Sequence, residues 1–237
     1  ASMQDRLSYA RLLLKNGAYK QAETEFRTVL DSMPDNVLAK NGLASAENAP
    51  QWKKDGSRYQ VKRMDVFNSR RDDYSPVLGG DQYDYLYFTS TRNDATGNEL
   101  SGITGAKAAD IFVSQKDEKG KWQKPEPVNG GLNTEYDEGA CALTPDGKTM
   151  YITQCQTDYA PPAVSPDGEW LYFVSDMPGG LGGLDIWRAR ITSLGLAGVE
   201  NLGEPINTPG NEMFPTFRAN GDLYFSSDGH VGMGGLD

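Results

Sequence analysis

Histidine is almost missing from this chain. His230 is the only one, and two cysteines complete the short supply of metal-binding and nucleophilic side chains in 237 residues. One His and two Cys in unrelated spacing do not make a tetrahedral zinc site. No G-x-S-x-G elbow accompanies His230, which sits in a glycine loop and reads as a turn residue, not as part of a Ser-His-Asp set. No run of 18 apolar residues occurs, so the sequence offers no membrane-spanning helix. Positive charge is also scarce: 23 Lys and Arg stand against 33 Asp and Glu, for a net charge of −10. Broad nucleic-acid binding needs a basic face and is not expected. No phosphate-cradling G-x-G-x-x-G opens a helix, and no cofactor is expected. The cysteines flank one predicted hairpin about Pro145-Asp146-Gly147-Lys148. Pairing around that turn sets Cys141 opposite Ile152 and leaves Cys155 out of register, so free structural thiols are expected and a disulfide is not.

Glycine, by contrast, is plentiful at 27 residues, and aromatics make up 10%. Leu171-Tyr172-Phe173-Val174-Ser175-Asp176 runs into Gly179-Gly180-Leu181-Gly182-Gly183-Leu184-Asp185-Ile186-Trp187. The block nearly recurs as Leu223-Tyr224-Phe225-Ser226-Ser227-Asp228, followed by Gly234-Gly235-Leu236-Asp237. A period of roughly 50 residues with glycine and aromatic punctuation is the signature of a β-propeller. The expected fold is therefore mainly β, with four-stranded blades in residues 51–237 and a short helical segment in residues 1–50.

That segment reads as helices over residues 3–47. Asp31-Ser32-Met33-Pro34-Asp35-Asn36 ends the second helix and caps a third, and Asn48-Ala49-Pro50 opens a polar boundary. Gly17, Tyr19, Ala22, Phe26 and Pro34 stand in an order that resembles a tetratricopeptide repeat. One repeat and a half cannot bury its own core, so the helices are expected to dock through Leu13, Phe26 and Leu43.

A second pattern marks the joins between blades. Asn68-Ser69, Asn133-Thr134 and Asn207-Thr208 are each followed, five residues after the Asn, by an acid: Asp73, Glu138 and Glu212. These acids recur with the fold, so they are read as fixing the inter-blade turn. Pro145-Asp146-Gly147, Pro166-Asp167-Gly168 and Asn220-Gly221 are hairpin turns. Tyr59 to Met64 alternates like a strand, and residues 59–68 are expected to supply an outer strand that closes a ring by completing the last blade. Between Cys155 and Ala163 an outer half-blade of about 30 residues is lacking against the usual period. A break near Asp158 and Tyr159, and a continuation beyond Asp237, are expected.

Asp176 with Asp185, and Asp228 with Asp237, place carboxylates beside glycine loops. Calcium is conceivable there, against the plainer reading that such acids accept backbone N–H bonds. Trp122 and Trp187 have the right faces to stack on a sugar, though Trp187 opens a strand and reads as core. A glycosidase needs two carboxylates in unlike environments, whereas repeated acids are alike.

Ser165-Pro166-Asp167-Gly168, Leu171-Tyr172-Phe173, Gly182-Gly183-Leu184-Asp185-Ile186-Trp187, Leu202-Gly203 and Ile206-Asn207 together resemble the WD-like propeller repeats related to TolB. A tetratricopeptide-like segment before such a propeller is similar to Bacteroidota outer-membrane lipoproteins of the PorE type, from the type IX secretion system. The resemblance implies a periplasmic location, with outer-membrane attachment through a lipidated N-terminus outside this sequence. It also implies partners among envelope and secretion-system proteins. Peptidoglycan contact would belong to an OmpA-like domain that this sequence does not contain. Two classes of function follow: a non-catalytic protein-interaction scaffold, or the propeller portion of a glycoside hydrolase or peptidase. Charge, the lack of a nucleophile and the helical prefix favour the scaffold, so no enzyme activity is expected.

Overall fold

The computed structural model describes residues 2–57, 59–97, 100, 105–155 and 162–237. Three helices come first: α1 (Met3–Lys15), α2 (Tyr19–Ser32) and α3 (Val37–Asp55). Ser2 caps α1, its hydroxyl accepting from the Asp5 N–H while the Asp5 carboxylate accepts from the Ser2 N–H. Asn36 caps α3 by accepting from the Ala39 N–H at 2.8 Å. The expected boundary at residues 48–50 is overridden, because α3 runs on to Asp55 with Pro50 inside it. Proline removes one helical hydrogen bond. Ala46 and Ala49 are nevertheless fully packed on the buried side, and tertiary burial outweighs local preference.

The helices bury a core of their own, which corrects the docking expectation. Phe26, Val29, Leu7 and Leu14 lie inside one cluster, with Leu13 and Leu43 packed against it. Phe26 is completely enclosed. Its ring lies directly on the α3 backbone at Gly42, where an added Cβ would come within 2.8 Å of the Phe26 Cε2. Three helices with small residues at the crossings are enough to enclose one phenylalanine, so this apolar face is spent internally.

Twelve strands follow among the described residues: β1 (Asp73–Gly79), β2 (Tyr85–Ser90), β3 (Asp110–Gln115), β4 (Glu126–Pro127), β5 (Asp137–Leu143), β6 (Met150–Cys155), β7 (Ala163–Val164), β8 (Trp170–Ser175), β9 (Asp185–Thr192), β10 (Gly195–Asn201), β11 (Glu212–Phe217) and β12 (Leu223–Ser227). They form four antiparallel sheets, β1-β2-β3-β4, β5-β6, β7-β8-β9-β10 and β11-β12. Each is a meander of chain neighbours, the form that short hairpin turns impose. Gly147 takes φ 67° at the β5–β6 turn, where its N–H donates to Thr144 O at 2.8 Å. Cys141 stands opposite Ile152, the register that the turn dictates, and Cys155 stands opposite Asp137. Consecutive sheets touch through β1 and β5, β5 and β7, and β7 and β11.

The closing strand expected at residues 59–68 is not formed among the described residues. No described residue between Ser57 and Asp72 is in a strand, and Val61 is 96% exposed. The segment finds no ladder partner along its length, although its end is anchored: Arg92 Nη2 donates to Phe67 O at 2.7 Å, and the Phe67 ring meets Trp122 edge-on at 5.3 Å. A closed ring is not seen among the described residues. The break expected near Asp158 and Tyr159 lies outside them.

The helices meet the sheets at the glycine loop after β12. Arg11 pairs with Asp228 at 3.0 Å, Asn41 Nδ2 donates to Gly229 O at 2.8 Å, and the Gly232 N–H donates to Ser45 Oγ at 3.0 Å. A Cβ at Gly234 would lie 2.9 Å from the Leu14 carbonyl carbon. Docking runs through Arg11, Leu14, Asn41 and Ser45, while Leu13, Phe26 and Leu43 pack in the helical cluster and Phe26 also lines a cavity shared with the loop. A glycine loop presents backbone groups that need partners, and polar helix residues supply them.

Gly42→Ala tests the internal core. Alanine gains about 1 kcal/mol of helix propensity over glycine, but overpacking costs about 1–3 kcal/mol. Because an added Cβ would meet three atoms of the Phe26 ring, a net loss of stability is expected in urea unfolding, with partial recovery in Gly42→Ala/Phe26→Leu.

Candidate functional site

The repeated acids form one construction, made three times, and two of the three asparagines complete it. Glu138 accepts from the Thr134 N–H at 2.7 Å and the Thr134 hydroxyl at 2.5 Å. Glu212 accepts from the Thr208 N–H at 2.9 Å, the Thr208 hydroxyl at 2.6 Å and the Ser227 hydroxyl at 2.6 Å. Asp73, one methylene shorter, accepts from the Ser69 N–H, from Ser90 Oγ at 2.6 Å and from Arg92 Nη2 at 2.6 Å. Burial works to raise the Asp73 carboxyl, but the bonds from Ser90, Ser69 and Arg92 outweigh it and hold the group below the usual carboxylate range.

The asparagines reach back to the sheet before. Asn133 accepts from the Ile111 N–H at 2.9 Å and donates to Ile111 O at 3.0 Å. Asn207 does the same to Ile186, at 2.8 Å and 3.0 Å. A side-chain amide carries one acceptor and donors in the same arrangement as a peptide group, so each Asn extends the ladder of β3 or β9 by one rung. Asn68, the first of the three, makes no side-chain hydrogen bond among the described residues.

Each acid pins the start of an inner strand, and a bulge follows at once. Register slips between Tyr74 and Val77 in β1, between Gly139 and Cys141 in β5, and between Met213 and Thr216 in β11. Ser75 and Phe214 take φ 52° and 56°, in the left-handed region. Such a conformation costs a non-glycine residue about 1–2 kcal/mol, and the acid-anchored joins hold it. The bulged residues line a cavity of about 530 Å³ where β1, β5, β7 and β11 converge, among them Tyr74, Pro76, Cys141, Pro162, Phe214 and Phe217. Strained backbone concentrated on one cavity is a pointer to function. Prolines at these edge positions lack N–H groups and do not invite strand pairing.

The cavity is apolar. Among the described residues its lining carries no carboxylate, histidine or basic side chain, and its titratable groups are Tyr74 and Cys141. Burial pushes the Cys141 thiol up to about 12, which keeps it un-ionised and inert as a nucleophile. The cavity continues past Val77, Leu143, Val164 and Phe217 to a mouth formed by the hairpin turns, where Asp81, Asp146 and Arg218 stand.

The remaining candidates are occupied by structural work. Asp185 accepts from the Leu181 and Gly182 N–H groups and from Asn201 Nδ2. Asp228 accepts from the Asn211 N–H and Nδ2 as well as pairing with Arg11. Asp237 accepts from the Gly234 N–H. Asp176 is exposed. No group of three or more His, Cys, Asp or Glu gathers among the described residues, so the four acids proposed for calcium are not brought together. His230 Nε2 donates to Ile206 O at 2.9 Å, with its ring beside Phe225. Trp187 is buried and donates to Ser175 O, while Trp122 packs between Phe67 and the Lys116 ammonium. Neither indole offers a free face to a sugar.

One residue escaped the sequence reading. Asp110, the partner of Asp185 in the first sheet, is fully buried; its Oδ2 accepts from the Thr96 N–H and hydroxyl, but its Oδ1 has no partner. Burial raises its carboxyl above the usual range; the Thr96 bonds oppose this, Glu138 adds to it and Lys107 opposes it.

No protein-family model and no curated protein matches the chain. Among solved structures it is similar to TolB from Acinetobacter baumannii, with 15% identity and a TM-score of 0.44 over 73% of this chain and 44% of that one. It is also similar to a puromycin-hydrolyzing peptidase of Mycobacterium tuberculosis, with 17% identity and a TM-score of 0.34 over 69% and 35% of the two chains. A puromycin hydrolase gives 12% identity and a TM-score of 0.33 over 73% and 39%. The chain spans less than half the length of each of these structures. At these scores the likenesses carry no conclusion about activity or partners.

Asp110 and Asp185 predict opposite outcomes at equivalent positions. Asp185→Asn turns an amide N–H₂ toward N–H donors and should cost about 1–3 kcal/mol. Asp110→Asn should be neutral or stabilising at pH 7, since it removes a buried charge with an unbonded oxygen. The folded-state pKa of Asp110 is raised, so ionisation penalises the fold as pH rises above the unfolded value of 3.8. The advantage of Asp110→Asn should therefore fade as pH falls through the raised folded-state value and be gone once pH reaches the unfolded one, as read from urea midpoints across pH.

Proposed function

We propose that this chain is a non-catalytic protein-interaction module, its four sheets serving as consecutive blades of a TolB-like β-propeller. The observation that carries this reading is the inner cavity of about 530 Å³, apolar and lined by inner strands of all four sheets. Cavities of this kind suit a short apolar segment better than a reacting polar bond. The carboxylates that a hydrolase would use are committed to backbone and hydroxyl donors. A lone cavity-facing acid would favour the alternative, the propeller portion of a glycoside hydrolase or peptidase; among the described residues none lines the inner cavity, and Asp81 and Asp146 stand only at its mouth, on the hairpin turns. On this reading the module works in the periplasm beside the outer membrane. Its partners are envelope proteins, with a type IX secretion system as the setting that the helix-then-propeller order suggests.

Photo-crosslinking tests the reading. A benzophenone amino acid at Phe214, inside the cavity, should capture a defined partner from envelope extract. The same group at Leu194, 98% exposed on the β9–β10 turn, should not. The purified chain should turn over neither peptide nor glycoside substrates. Turnover abolished by changing Asp73, Glu138 or Glu212 would overturn the proposal.

A further inference from the structure

The mouth of the inner cavity carries an unbalanced charge. Four hairpin turns frame it, and they hold Asp81 and Asp84, Asp146 and Lys148, Asp167 and Glu169, and Arg218 and Asp222, six acids against two bases. Both bases are engaged where they stand. Lys148 Nζ lies 3.7 Å from Asp146 in its own turn, and the Arg218 guanidinium lies 4.8 Å from the centre of the Tyr224 ring. Glu169 pairs with Arg190 of β9 at 2.9 Å. Asp167 accepts from the Ser165 hydroxyl and the Glu169 N–H, and Asp222 accepts from Asn220 Nδ2. Asp81 and Asp84 differ: among the described residues neither side chain makes a hydrogen bond or an ion pair. Asp81 is exposed at the mouth, and Asp84 lies against Gly80 beside it. A cleft with walls of low dielectric focuses such charge toward its opening.

Behind this rim the surface turns apolar. Leu78 and Tyr83 are exposed at the mouth, and Val77, Leu143, Val164 and Phe217 lead inward. The interior of about 530 Å³ falls within the range of about 300–1,000 Å³ that ligand pockets span. Pro76, Pro162 and Pro215 line it, and proline has no N–H to offer. A peptide backbone buried there would find few donors for its carbonyls. Side chains can enter, while the backbone that carries them stays at the mouth, among the carboxylates.

We propose that the cavity takes a polypeptide segment in which bulky apolar side chains stand next to Lys or Arg. The apolar groups fill the interior, and the cations lie against Asp81, Asp84 and Asp146. This rests on the reading of the cavity as a docking site and adds the chemistry of the partner. The net charge of −10 draws the same occupant from a distance. A segment with acidic flanks is repelled at the rim. A fatty acid, which also has an apolar body, brings its carboxylate to the same carboxylates.

The probes are three end-blocked peptides, Gly-Phe-Leu-Lys-Lys-Gly, Gly-Phe-Leu-Glu-Glu-Gly and Gly-Ser-Ser-Lys-Lys-Gly, with dodecanoate as a fourth, each titrated into the full chain by calorimetry. The first should bind at least about tenfold more tightly than the others. Asp81→Lys should weaken it about threefold or more and flatten its dependence on salt. Asp81 is exposed and unbonded, so this variant should fold, which circular dichroism checks. The first peptide with benzophenylalanine in place of Phe should label β1, β5 or β11 on irradiation, and labelling confined to other elements overturns the proposal. If no peptide binds, the docking reading of the cavity fails together with this inference. Equal binding of the Glu peptide leaves that reading standing and overturns the charge preference proposed here. Equal binding of the Ser-Ser peptide reduces the attraction to surface charge, and equal binding of dodecanoate makes the occupant a lipid chain; either result overturns the proposal.

Discussion

The structure depends on a side-chain amide standing in for a peptide group. Where the outer strand of one sheet ends, the chain must cross to the inner strand of the next, and the ladder would stop at a raw edge. Asn133 and Asn207 each add one more rung to that edge. Aspartate would lack the donor, and glutamine would overreach by a methylene. The acid five residues later then fastens the crossing chain to its own Ser or Thr. Sheets that touch through their inner strands are fastened further at these two residues, and the bulges follow directly behind the acids.

The same economy explains why so many buried carboxylates do no chemistry. A buried charge survives when donors surround it. Glu138 and Glu212 meet hydroxyl and N–H donors, and Asp73 meets a guanidinium that is itself held over Phe88 and Phe112. Asp110 is the exception, left with an unbonded oxygen. In the third sheet the glycine loop folds back on Asp185 and supplies N–H groups. In the first sheet Thr96 alone supplies donors to Asp110 among the described residues, and the acid keeps its place with half its bonds.

The helical unit takes a role that its composition did not announce. The end of α1 packs on the glycine loop after β12 where, one sheet earlier, the next sheet's own turn packs on the corresponding loop. It thereby gives this loop the packing that the next sheet's turn gives the earlier one. Polar residues on its surface serve this purpose because the loop offers carbonyls and N–H groups in place of apolar side chains.

Much of this was legible in the chain. The spacing of Asn68, Asn133 and Asn207 from their acids, the Pro-Asp-Gly turns, the Asn36 cap and the opposition of Cys141 to Ile152 are all local, and local rules decide them. The errors concern the reach of apolar side chains. Phe26 was assigned to an outward face because a repeat and a half looked too small to enclose it, yet Gly42 lets α3 come close enough to do so. Residues 59–64 alternate like a strand, but alternation states only which faces a strand would have, and a strand needs a neighbour. Pro50 signalled a stop that Ala46 and Ala49 overrode by burial. Sequence alone determined the repeat, its turns and the residues at its joins, because these rest on backbone geometry and short-range hydrogen bonds. Tertiary structure alone decided which acids are saturated and where the strained residues converge on a cavity, because each depends on groups brought together from distant parts of the chain.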